Sequence, residues 1–340
     1  MNIIITGGCG FVGSALCLYL KKNIKNVKIL SIDNLSKKYS KFNEKILIKN
    51  QIHNKRINLG KFNSMKNVKF KADFIIDCSA EPSVEISRRK IANVIESNFL
   101  STVNILEKVK KDKSKIIFIS SSRVYPIKMS YEKFKKYKKY KKHFSYFENA
   151  DFSGQKTIYG FTKYSSEKLI EEYNYFEKIK YIINRCGLIS GPGQYGKVEQ
   201  GLVSLWLWKH INNLELTYLG HDGKGEQVRD VLFIEDFCRL VLKQIKNFTI
   251  FENNLFCIGG GAKNATSLKN LTAICNKITR NKINIKKNIQ TSIYDIPYFV
   301  TSLKKIKKFS NWKPKIDLYQ GISEIYFWMI KNKKKIRNFF

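Results

Sequence analysis

Short apolar runs alternate with stretches whose apolar side chains recur every three to four residues, the pattern of buried parallel strands separated by helices. Asn2–Thr6 is apolar and β-branched and predicts the first strand, and residues 12–22 then read as a helix. Further strands are predicted over residues 27–32, 74–78, 115–120 and 181–186. Helical periodicity marks residues 91–109 and Ile158–Glu177, whereas residues 37–65 are polar, basic and without a clear period. After the turn Gly191-Pro192-Gly193 the alternation breaks into mixed short elements. The expected fold class is therefore α/β. A doubly wound parallel sheet is expected over residues 1–186, completed by part of 230–260. A smaller mixed α/β lobe follows over 187–340, and ligands are expected at the carboxyl ends of the strands.

Composition narrows this further. At 340 residues the chain can bury one large core or two smaller ones. No apolar run approaches the ~18 residues of a membrane span, so no membrane partner is expected. Glycines interrupt the opening apolar stretch and no basic segment precedes it, which does not read as a secretory signal. Seven cysteines are scattered without metal-ligand spacing and four histidines stand apart, which predicts reduced thiols, a cytoplasmic location and no metal. The formal charge of +36 comes with lysine spread along the whole chain. That spread reads as compositional drift, with steering of a nucleotide-linked, anionic substrate as a secondary benefit. Residues 131–144, YEKFKKYKKYKKHF, interleave lysine with aromatics as an RNA-contacting surface does. That segment falls between a predicted strand and a long helix, where an exposed basic helix or loop fits, and nucleic acid is not the expected partner.

Candidate chemistry gathers at two places. Gly7, Gly10 and Gly13 follow the first strand and open the first helix. The first glycine permits a tight turn, the second lets a pyrophosphate approach the backbone, and the third lets helix and strand pack closely; the first amides of the helix then face the phosphates. Asp33 ends the second strand, where a carboxylate accepts from an adenosine ribose and repels a 2′-phosphate. This Rossmann pattern favours NAD over NADP, although Lys37 and Lys38 lie close in sequence. The second place is Tyr159 and Lys163, four apart on a predicted helix and so on one face. An adjacent ammonium favours the phenolate and lowers the tyrosine pKa toward neutrality.

Together with Ser120-Ser121-Ser122-Arg123-Val124-Tyr125, these motifs resemble the extended short-chain dehydrogenase/reductases, the nucleotide-sugar epimerases and dehydratases, over nearly the whole chain. The resemblance implies Ser121, Tyr159 and Lys163 as catalytic residues. It implies NAD held by Gly7, Gly10, Phe11, Val12, Gly13, Asp33, Asn34, Ser36, Ala80, Asn98, Tyr159 and Lys163. A nucleotide-sugar substrate would be held by Ser121, Gln194, Gln200 and Arg229. In that chemistry the Tyr159 phenolate removes a hydroxyl proton as hydride leaves the same sugar carbon, and Ser121 hydrogen-bonds the developing ketone. The family's dehydratases carry an Asp-Glu pair where Ser122 and Arg123 stand here, so elimination lacks its acid. The stretches Ile32-Asp33-Asn34-Leu35-Ser36 and Gly225-Glu226-Gln227-Val228-Arg229-Asp230-Val231-Leu232 resemble the CDP-paratose (CDP-tyvelose) 2-epimerase subgroup, which implies a CDP-linked sugar. The alternatives are a UDP-sugar 4-epimerase, a one-way dehydrogenase or reductase, and a non-catalytic RNA-binding relative. Relatives commonly pair through two helices, so residues 98–110 and 159–175 are the expected face of a homo-oligomer, by analogy alone.

Overall fold

The structure, a computed structural model, describes residues 1–84, 89–196 and 201–340. The chain divides into two compact units. One comprises Met1–Val124, Thr157–Arg185 and Cys238–Phe256; the other comprises Tyr125–Lys156, Cys186–Phe237 and Cys257–Phe340.

The first unit is built on strands β1 (Asn2–Thr6), β2 (Lys28–Ile32), β3 (His53–Lys55), β4 (Phe74–Asp77), β5 (Lys115–Ser121) and β6 (Lys180–Cys186). Together with Asn254–Ile258 they form a seven-stranded sheet, ordered Asn254–Ile258, β6, β5, β4, β1, β2, β3. The β1–β2, β2–β3, β1–β4 and β4–β5 pairs are parallel. Ile3, Ile4 and Ile5 are all fully buried. Helices cover both faces of such a sheet, so its strands need continuous rather than alternating apolar residues. Chain order runs one way from β1 to β3 and the other way from β4 to β6. The sheet therefore reverses between β1 and β4, where ligands bind in doubly wound folds.

Two segments depart from the sequence expectation. Residues 37–65 hold a helix, α2 (Ser40–Lys49), and β3. Part of the buried side of α2 is polar: Asn43 donates to the Cys9 carbonyl at 3.0 Å, and Glu44 receives Arg56 at 2.9 Å. A helix anchored by hydrogen bonds leaves little hydrophobic period to read. Residues 91–109 form no single α-helix, because a π-turn at Glu96–Leu100 separates Ile91–Ile95 from Ser101–Asp112.

In the second unit, Ala265–Ser267, Leu188–Ser190 and Tyr298–Phe299 pair with Val228–Phe233 in one sheet, and Leu216–Leu219 pairs with Ile285–Asn288 in another. Its core is aromatic, with Tyr146 stacked on Phe299 at 4.4 Å and edge-on to Tyr125 at 4.9 Å. Most of the basic 131–144 segment is helical, within Ile127–Tyr140. Ser130 and Phe134 turn inward, Ser130 donating to the Tyr298 carbonyl at 2.8 Å, while Lys135, Lys136, Lys138 and Lys139 face solvent.

Candidate active site

β1 ends at Thr6 and the chain turns at Gly7, whose φ of +60° lies where a side chain is strained. The Gly10 amide donates to the Gly7 carbonyl at 2.9 Å and closes the turn. Helix α1 (Phe11–Asn23) starts at once, with no side chain capping its first turn. A Cβ at Gly13 would sit 2.2 Å from the Gly7 carbonyl oxygen, so only glycine lets α1 approach this closely. The result is a cradle of uncapped amides at a helix N-terminus, the arrangement that takes a pyrophosphate.

Asp33 follows β2 and faces this turn. Its Oδ2 accepts from the Cys9 amide at 3.1 Å and its Oδ1 from the Leu35 amide at 2.8 Å. Burial pushes its carboxyl above the ordinary range, against the pull of those two amides. Asn34 is spent on its own turn, accepting from the Ser36 amide at 3.0 Å. Lys37, the residue that would welcome a 2′-phosphate, is instead paired with Glu81 at 2.5 Å. The uncapped cradle, the carboxylate beside it and the engaged lysine fit NAD.

Tyr159 and Lys163 lie on the helix Ile158–Glu177, which Thr157 caps by accepting from the Gly160 amide at 3.0 Å. Both are buried, at 9% and 2% exposure. The Lys163 ammonium reaches the Ser79 carbonyl at 3.4 Å and lies 4.4 Å from the centre of the Phe118 ring. Ser121 is the last residue of β5, and its hydroxyl oxygen accepts from the Arg123 amide at 3.2 Å. Helix and strand end come together because position 160 is glycine: a Cβ there would meet the Arg123 carbonyl oxygen at 2.0 Å.

Asn98 sits in the π-turn, 1% exposed, accepting from the Glu81 amide at 2.7 Å and donating to Thr162 on the Tyr159 helix at 3.1 Å. It therefore fixes the helix to the loop that carries Ala80. The π-turn supplies the local widening at a functional position.

Of the expected substrate residues, Ser121 belongs to the first unit, and Gln194 and Arg229 belong to the second. Arg229 donates to the Val228 carbonyl at 2.9 Å and stands 3.8 Å from Asp295, with burial pulling its guanidinium below the ordinary value and Asp295 opposing. The amide of Gln194 is committed to Ser190, Ser204 and the Ile189 carbonyl, at 2.8, 3.2 and 3.0 Å. Gln200 lies outside the described residues.

Sequence reasoning missed several supporting residues. Glu167 accepts from Ser120 on β5 at 2.5 Å and from Arg185 on β6 at 2.7 Å, and Asp77 organises the turn after β4. For Glu167 a signal existed: it lies four residues beyond Lys163, on the helix face already singled out. Among the described residues no cluster of His, Cys, Asp or Glu is placed to hold a metal ion, and no helix is long and apolar enough to cross a membrane. All seven cysteines are thiols.

The chain is 27% identical to the CDP-paratose 2-epimerase of Salmonella typhi, covering 96% of this chain and 99% of that one. It is 28% identical to a putative UDP-glucose 4-epimerase of Methanocaldococcus jannaschii, over 98% and 99% of the two chains. Among solved structures, the UDP-glucose 4-epimerase of Thermotoga maritima superposes with a TM-score of 0.82 at 25% identity, covering 98% of this chain and 100% of that one. The UDP-glucuronic acid 4-epimerase of Bacillus cereus, solved with UDP-glucuronic acid and NAD, shares the fold at a TM-score of 0.83 and 22% identity, over 97% and 99%. Residues 3–259 match one family description throughout, and the chain belongs to the NAD dependent epimerase/dehydratase family.

Proposed function

We propose that this protein is an NAD-dependent epimerase of a nucleotide-linked hexose, most like a CDP-paratose 2-epimerase. The observation that carries the reading is the pairing of buried Tyr159 and Lys163 on a helix held against the end of the Ser121 strand, where Ser122 and Arg123 replace the dehydratase acids. The chemistry that NAD supplies when bound is reversible hydride acceptance.

This chain's residues do the rest. Gly7, Gly10, Gly13 and the first amides of α1 hold the dinucleotide phosphates, and Asp33 holds the adenosine ribose. Tyr159 takes the proton of the sugar hydroxyl, Lys163 keeps the phenolate favourable, and Ser121 donates to the oxygen that becomes a carbonyl. Without an acid at position 122 or 123 the keto sugar is not steered into elimination. Bound cofactor would supply the hydride back to the other face of the turned-over keto sugar, and Tyr159 returns the proton to its oxygen. Arg229 is assigned to the substrate's phosphates, for which a guanidinium provides a matching fork. The CDP preference is supported by the stretch Gly225–Leu232 of the sequence and by the relative from Salmonella typhi.

The test begins by denaturing purified protein and identifying the nucleotide it releases. CDP- and UDP-hexoses are then screened for epimer formation by NMR. The expected result is released NAD, epimerisation of a CDP-hexose and no net NADH. Steady accumulation of NADH would replace the reading with a one-way dehydrogenase. Epimerisation of UDP-hexoses alone would replace it with a UDP-sugar 4-epimerase, the description that three of the similar proteins above carry. A chain that neither retains nor uses a pyridine nucleotide would overturn it.

A further inference from the structure

Asp77 ends β4 at the point where the sheet reverses, opposite Thr6 on β1. It is fully buried. One oxygen, Oδ1, accepts three hydrogen bonds: from the Thr6 hydroxyl at 2.7 Å, the Ser79 amide at 2.9 Å and the Ser79 hydroxyl at 2.6 Å. The other, Oδ2, is buried with no hydrogen-bond partner among the described residues. A single acceptor thus gathers the last residue of β1 and the turn after β4. A Cβ at Gly7 would lie 2.7 Å from the Cys78 carbonyl, so the glycine turn packs directly on that segment. The carbonyl of Ser79, whose amide and hydroxyl Asp77 holds, is an acceptor for the Lys163 ammonium at 3.4 Å.

We propose that Asp77 is a positioning residue for catalysis: by locking the Ser79 peptide it sets where Lys163 holds its ammonium, and thereby how readily Tyr159 ionises. The inference rests on the reading of Tyr159 as proton acceptor. Charged residues on these elements are Lys163, Glu167, Lys168, Glu171, Glu172 and Glu177 on the Tyr159 helix, Lys115 on β5, Arg123 on the turn after it, and Asp77 and Glu81 on β4 and its loop. Positioning and plain charge predict opposite signs. Removing a nearby carboxylate would, by field alone, make the phenol more acidic. Releasing the Ser79 peptide lets the ammonium drift and makes the phenol less acidic.

The experiment titrates tyrosinate absorbance as the difference between each protein and its Tyr159→Phe counterpart, which needs no sugar. Asp77→Ala removes the acceptor, where asparagine would keep an oxygen for all three bonds, and is expected to raise the Tyr159 midpoint by about one pH unit, a tenfold loss of phenolate near neutrality. Ser79→Ala removes one of the three bonds, changes no charge and keeps the carbonyl, so it is expected to raise the midpoint by a smaller amount. Thermal unfolding checks that each variant folds; if Asp77→Ala does not, Ser79→Ala decides alone. An unchanged or lowered midpoint overturns the proposal. With an active sugar, the pH profile of kcat is expected to move by the same amount. If the unmodified protein turns over no nucleotide sugar, the functional reading fails while the titration still decides the role of Asp77.

Discussion

Glu167 receives Arg185 in a buried fork, with Nε 3.0 Å from both carboxylate oxygens and Nη2 2.7 Å from Oε2. The same carboxylate accepts from Ser120 at 2.5 Å, so one side chain ties the Tyr159 helix to β5 and β6. Glu167→Gln leaves the Arg185 charge buried without its counterion, which costs about 3–5 kcal/mol in comparable sites. The expected outcome is a loss of that order in urea unfolding, together with reduced turnover because the helix that carries Tyr159 and Lys163 loses its anchor.

That anchor also marks where the sequence stops being informative. The strand–glycine turn–helix opening and the Ile158–Glu177 helix are set by local physics, a β-branched run and a helical period, and both were legible to within a residue or two. Glu167 with Arg185, Asp77 with Thr6 and Lys37 with Glu81 are partners far apart in the chain, and nothing in a local pattern announces them. Helix α2 escaped for a related reason, since Asn43 and Glu44 hold its inner side by hydrogen bonds rather than by apolar contact. Gln194 carried the right chemistry for a substrate contact, yet its amide is engaged within its own unit.

Gly160 is the contact point between the Tyr159 helix and the turn after Ser121. Alanine there would improve helix propensity by up to about 1 kcal/mol. It would also drive a methyl group into the Arg123 carbonyl, a backbone atom that cannot swing aside. The clash is expected to win. Gly160→Ala should lose a net of about 1–3 kcal/mol in thermal unfolding, and its turnover should fall by more than the stability loss explains.

Tyr159→Phe removes one oxygen from a side chain that is already buried, so folding is expected to persist. Turnover should fall by about 10²–10⁴-fold, the usual worth of a positioned acid–base group. The nucleotide released on denaturation should still be NAD. A variant that keeps most of its activity would remove Tyr159 from the chemistry.

The proposed roles of Asp33 and of the Glu81–Lys37 pair predict which dinucleotide fits. Asp33→Ser removes the carboxylate assigned above to the adenosine ribose, and Glu81→Gln frees Lys37 from its 2.5 Å pair. Either change alone should weaken discrimination. The double variant should lower the preference for NAD over NADP by about tenfold or more, since a hydrogen bond to a charged group contributes about 1.5–3 kcal/mol. Calorimetric titration of nucleotide-free protein with each dinucleotide measures the ratio.

Asp230 neighbours the expected phosphate-binding Arg229 and is fully buried. Its Oδ2 accepts from the Gly261 and Thr301 amides at 2.8 and 3.1 Å, but burial outweighs them and pushes its carboxyl from 3.8 up to about 6. The folded chain therefore holds this proton more tightly than the unfolded chain does. Between pH 4 and 6 the unfolded state has already released it, so rising pH draws the equilibrium toward unfolding. Stability contributed by the neutral carboxyl is full near the lower end of that window and is lost as pH climbs through the folded-state value. At about 1.4 kcal/mol per unit the whole effect is on the order of 3 kcal/mol. Asp230→Asn keeps an oxygen for the two amides and abolishes the titration. Urea unfolding at several pH values across the window should show a downward slope for the unmodified protein that is flattened in the variant; equal slopes would mean that Asp230 ionises normally in the folded state.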